Sequence, residues 1–67
     1  MLKGTVKWFN DLKGYGFITS TDLPREVYVR FTEIISNGYR TLKAGDQVAF
    51  ELEDVSGSPK ATNVVKY

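Results

Sequence analysis

Residues 47–53 alternate cleanly. Val48, Phe50 and Leu52 are apolar, while Ala49, Glu51 and Glu53 between them are small or charged. Successive side chains of a β-strand point to opposite faces, so this pattern predicts one buried and one wet face. The same period recurs twice upstream. Val27 and Val29 alternate with Tyr28 and Arg30, and Gly16 and Ile18 alternate with Tyr15 and Phe17. Near the start, Val6 is the expected core residue and Lys7 faces out. Trp8 and Phe9 follow directly, and two adjacent rings cannot both obey a period of two. A bend or bulge at Trp8 and Phe9 resolves this.

Turn residues divide the chain into five predicted strands, at residues 3–10, 15–20, 26–31, 47–55 and 60–66. NDLKG, SNG, AGD and SGSP are turn chemistry. TDLPRE is a loop, because Pro24 has no N–H to give a ladder. The long connection from 32 to 46 holds FTEII, enough for one turn of helix at most. No window of ten or more residues carries sustained helical periodicity. Five short strands must hide their edges, and closing into a small barrel does so best.

The alternation leaves a surplus. The aliphatic residues suffice to build the inside, so Tyr15, Phe17 and Tyr28 fall outside beside Arg30, with Lys7 and Lys13 close by. Tyr and Phe are ordinary strand formers, and a single outward ring needs no explanation. Several on neighbouring strands form an exposed apolar patch, which marks a binding surface. Nucleobases stack on such rings, at roughly 1–3 kcal/mol per base, with little regard to sequence. The lysines neutralise phosphates, and Arg30 can stack as well. Gly14 and Gly16 read as clearance that lets a flat ligand reach Tyr15 and Phe17. Phe50 belongs to the core, and Tyr39 has equal claims to the platform and to barrel packing.

Composition narrows the alternatives. At 67 residues with net charge +1, this is a single domain and not a strongly basic one. Residues 1–31 carry five basic and three acidic side chains, and residues 32–67 carry four and five, so a local basic face is allowed. A chain this short buries only about 60% of its unfolded surface. There is no cysteine to staple it and no histidine. The commonest nucleophile–base pairs are therefore missing, and the scattered carboxylates suit no metal. The expectation is no catalytic residue, no metal, no cofactor and no membrane span. A cysteine-free chain whose start, MLKGTVKW, is too polar for a secretory segment reads as cytoplasmic. Small barrels with exposed rings also dock proline-rich peptides, and that protein-interaction reading is the alternative.

Several motifs carry a family resemblance. KGYGFI at 13–18 and VYVRF at 27–31 resemble the two RNA-binding motifs of the bacterial cold-shock proteins. VKWFN at 6–10, GYRTL at 38–42 and PKATNV at 59–64 sit in the matching order and spacing. The resemblance covers residues 1–67 as one cold-shock domain. It implies an all-β, five-stranded antiparallel OB-type (Greek-key) barrel that binds single-stranded RNA and DNA. It also implies RNA chaperone activity and transcription antitermination, with cold induction in only some members. It places base stacking on Trp8, Phe17, Tyr28, Phe31 and Tyr39, adds Tyr15 and Phe9 to the surface, and puts polar contacts on Lys7, Asn10 and Lys13. Arg30 stands where the family usually has histidine, and Glu26 where Asp is usual. TDLPRE is about one residue longer than common, and Lys60 partly replaces an absent arginine before the last strand. A monomer is expected, with strand exchange into a dimer left open.

Overall fold

The computed structural model describes residues 1–36, 38, 41–55 and 57–67, with the backbone alone at 55. Five strands, β1 (Leu2–Asn10), β2 (Tyr15–Thr19), β3 (Val27–Arg30), β4 (Gln47–Val55) and β5 (Ser58–Lys66), close into a barrel in the order β1-β2-β3-β5-β4. The fold is all-β, as expected, and FTEII supplies a single 3-10 turn at Phe31–Glu33. Strand four has the expected bounds, and the others shift by one or two residues at an end. Phe31 belongs to the 3-10 turn and not to β3.

Four seams of the barrel are antiparallel. The seam that closes it is parallel, at Tyr28 opposite Lys60, with a further parallel bridge between Ile34 and Val64. β3 is the shortest strand, so its closing ladder is short.

The core follows from the alternation. Val6, Ile18, Val27, Val29, Val48 and Phe50 are buried, joined by Ile34, Leu42, Ala61 and Val64. No polar or charged side chain is buried among the described residues, so the apolar interior carries no desolvation penalty. Leu52 departs from the expectation. It keeps the phase of Phe50 but is 39% exposed. Leu52 pairs with Ala61, toward the turn end of the β4–β5 hairpin. Leu23, Pro24 and Pro59 only flank it in a shallow groove.

Two irregularities set the faces. In β1, Val6 pairs with Ile18 and Trp8 with Phe17, so Lys7 is an extra residue in the ladder. This is the bulge that the Trp8–Phe9 pair demands. It resets the alternation, turning Trp8 outward and Phe9 toward the core. In β5, the ladder jumps from Val65 to Thr62 while β4 advances only from Ala49 to Glu51. The surplus includes Asn63, at φ 50°, a conformation that Asn tolerates better than most residues. Its amide donates to Glu51 Oε1 at 2.7 Å. The reset allows Ala61 and Val64 to be buried together. Among the described residues, no helix is long and apolar enough to cross a membrane.

Candidate nucleic-acid interface

The outer face of β1–β2–β3 holds a closed circuit of four rings. Ring centroids are 5.7 Å apart for Trp8 and Tyr15, and 5.4 Å for Trp8 and Phe17. Tyr28 completes the circuit at 5.8 Å from both Tyr15 and Phe17. The register explains the circuit. Trp8 lies opposite Phe17, and Phe17 opposite Tyr28, so one ring from each strand forms a row across the sheet. Tyr15, two residues from Phe17 and on the same face, closes the gap. The ring planes meet at 34–71°, the edge and tilted geometries that aromatic quadrupoles favour. Trp8 is 38% exposed, and the other three are half-buried.

Phe31, 43% exposed, extends the patch from the 3-10 turn. Its position is fixed by Gly14. The Phe31 N–H donates to the Gly14 carbonyl at 2.9 Å, and the Phe31 ring lies over the Gly14 backbone. A Cβ at Gly14 would come within 2.7 Å of that ring, and φ there is +76°. Gly16 is buried, and a Cβ on it would meet the Trp8 carbonyl oxygen at 2.2 Å. The expectation of ligand clearance is corrected at both positions. The glycines admit the protein's own Phe31 ring and the bulged β1 backbone.

Phe9 lies apart from the four rings. The bulge turns it inward, where it is half-buried and packs against the core. Asn10 acts first on the chain itself. Its Oδ1 accepts from the N–H groups of Leu12 and Lys13, both at 2.9 Å, and its carbonyl accepts from Gly14 N–H at 2.7 Å. This organises the turn that presents Lys13. Tyr39 lies outside the described residues.

Four cations surround the rings. Arg30 is exposed opposite Tyr15, and Lys60 is half-buried opposite Tyr28. Lys13 is exposed in the turn, and Lys7 sits on the bulge. Among the described residues, only Lys7 of these has an ion-pair partner, the carboxylate of Glu26. Sequence periodicity missed one wall of the site. Arg25, Glu26, Ser58, Pro59 and Lys60 line an open groove of about 720 Å³ with Phe17 and Tyr28. The Arg25 guanidinium donates to the Gly57 carbonyl at 3.2 Å, tying the loop before β3 to the β4–β5 turn. No local pattern marks Ser58 or Pro59, because the parallel β3–β5 seam brings them there. Among the described residues, no group of three His, Cys, Asp or Glu side chains is placed to hold a metal ion.

The family model described as 'Cold-shock' DNA-binding domain matches residues 2–67. The chain is 49% identical over 63 residues to cold shock-like protein CspC of Escherichia coli strain K12, covering 94% of this chain and 91% of the relative. It is 48% identical over 64 residues to cold shock-like protein CspE of Buchnera aphidicola from Acyrthosiphon pisum, covering 96% and 93%. A solved structure described as drosophila Unr CSD456 superimposes with a TM-score of 0.83 at 20% identity, a likeness of fold. That match covers 98% of this chain but only 26% of the longer one.

Proposed function

The chain belongs to the 'Cold-shock' DNA-binding domain family, a nucleic-acid-binding family, and on that premise we propose that the β1–β2–β3 face binds single-stranded RNA and DNA with little regard to base sequence. The closed circuit of Trp8, Tyr15, Phe17 and Tyr28 carries this reading. Each ring offers a surface on which an unpaired base can stack, at roughly 1–3 kcal/mol per base. Paired bases have their faces covered by neighbours, so the site takes unstacked strands. Lys13, Arg30 and Lys60 stand round the rings to meet the phosphates that connect those bases.

In the cytoplasm such a protein acts as an RNA chaperone and antiterminator. It holds transcripts unpaired by mass action alone, since whatever binds only the open strand shifts the folding equilibrium toward it. Stacking dominates over charge. With about three phosphates neutralised, log K falls with log salt at a slope of about −2. Titration of oligo-dT followed by Trp8 fluorescence tests the proposal. Saturable quenching at micromolar protein and low salt, with that shallow slope, is the expected result. Absence of quenching under those conditions overturns it.

A further inference from the structure

We propose that the Lys7–Glu26 ion pair is a bar along one edge of the ring face, which a strand whose phosphate reaches Lys7 opens, so that Glu26 limits both affinity and salt response. The inference rests on the single-strand-binding reading above and concerns the regulation of that same site.

The geometry begins with strand order. Lys7 is the extra residue of the β1 bulge, and Glu26 immediately precedes β3. β2 lies between those strands. Neighbouring strands are about 4.8 Å apart, so the two backbones are about 10 Å apart and the side chains meet over β2. The register places the crossing. Val6 and Trp8 flank Lys7 and pair with Ile18 and Phe17, while Val27, next to Glu26, pairs with Ile18. The pair therefore passes above the outer side of Phe17 to Thr19. The four rings lie on one side of it, and Thr5 and Thr19 lie on the other.

Electrostatics gives the bar its effect. Both partners are substantially exposed, at 53% for Lys7 and 40% for Glu26. An exposed pair is weak and opens readily. A phosphate oxygen makes the same kind of charge-assisted bond to an ammonium as a carboxylate does, so the two anions compete for one cation. Asp11, in the β1–β2 turn, accepts from the Thr41 hydroxyl. Glu26 also lines the groove with Phe17 and Tyr28, so its charge faces any phosphate entering there.

Glu26→Gln tests this, with oligo-dT affinity read by Trp8 fluorescence across salt. Glu51→Gln is the control. It makes the same change in net charge on β4, and its amide oxygen can keep the bond from Asn63. Glu26→Gln should raise low-salt affinity about two- to fivefold, the scale of a weak exposed pair. It should also steepen the salt slope by about 0.7, one phosphate's worth for a single strand. Lys7→Gln should cost more in the Glu26→Gln background than in the wild type. Equal behaviour of the Glu26 and Glu51 variants, an unchanged slope, or a fall in affinity overturns the bar and leaves single-strand binding standing. Failure of the wild type to bind removes both.

Discussion

The outer faces of β1–β2–β3 and of the β4–β5 hairpin cover one core, and both are set by period-two alternation. Their chemistry is opposite. The first presents Trp8, Tyr15, Phe17 and Tyr28 with Lys13 and Arg30. The second presents Glu51, Glu53 and Asn63, all exposed. The buried sides are alike: Val6, Ile18, Val27 and Val29 under the one, and Val48, Phe50, Ala61 and Val64 under the other. Folding constrains the inner positions and leaves the outer ones open. Rings kept outside are spare to folding, because the core is complete without them.

The difference can be broken from the inside first. Phe50→Ala removes the largest fully buried side chain and should cost about 3–5 kcal/mol of stability, read as a lower urea midpoint. A small barrel has little to spare, so this variant is expected to be largely unfolded at 37 °C (about 310 K). Next comes the joint between inside and outside. Gly16→Ala drives a methyl into the Trp8 carbonyl, an overpacking expected to cost about 1–3 kcal/mol by the same measurement. A nearly unchanged midpoint for Gly16→Ala would argue that the bulge adjusts freely.

On the outer face the effects move from stability to binding. Phe17→Ala should weaken oligo-dT binding by roughly 1–3 kcal/mol, with little change in salt slope and a nearly unchanged urea midpoint. An equal loss of stability and affinity would mean that Phe17 is structural. The smallest effect sharpens the role of Arg30. Arg30→His removes a permanent charge while keeping a flat ring. The salt slope should become shallower by about 0.7 at neutral pH, one phosphate contact on a single strand. A slope that does not move would leave Arg30 a stacking residue only.

Much of this was legible in the chain. Val27, Val29, Ile18, Val48 and Phe50 announce themselves by period, and the adjacent Trp8 and Phe9 announce the bulge. Tyr15, Phe17 and Tyr28 stand out as the residues that alternation leaves over. Leu52 was not legible, because its exposure depends on what packs beside the hairpin and not on its own period. Gly14 and Gly16 misled for a related reason. A missing side chain shows that something approaches closely, but not whether that something is a ligand or the protein's own Phe31 ring and Trp8 carbonyl.

The sequence by itself determined which residues face in and which face out, since that depends on neighbours one and two positions away. It determined the all-β class, the need for an irregularity near Trp8 and Phe9, and the aromatic surplus. Only the tertiary structure decided who meets whom across the barrel. The parallel seam at Tyr28 and Lys60 brings Pro59 to the groove beside Phe17, and the order β1-β2-β3 sets Lys7 against Glu26 over the strand between them. Those contacts join residues 19 to 42 positions apart in the chain. No local period encodes them, because they arise from strand order and closure.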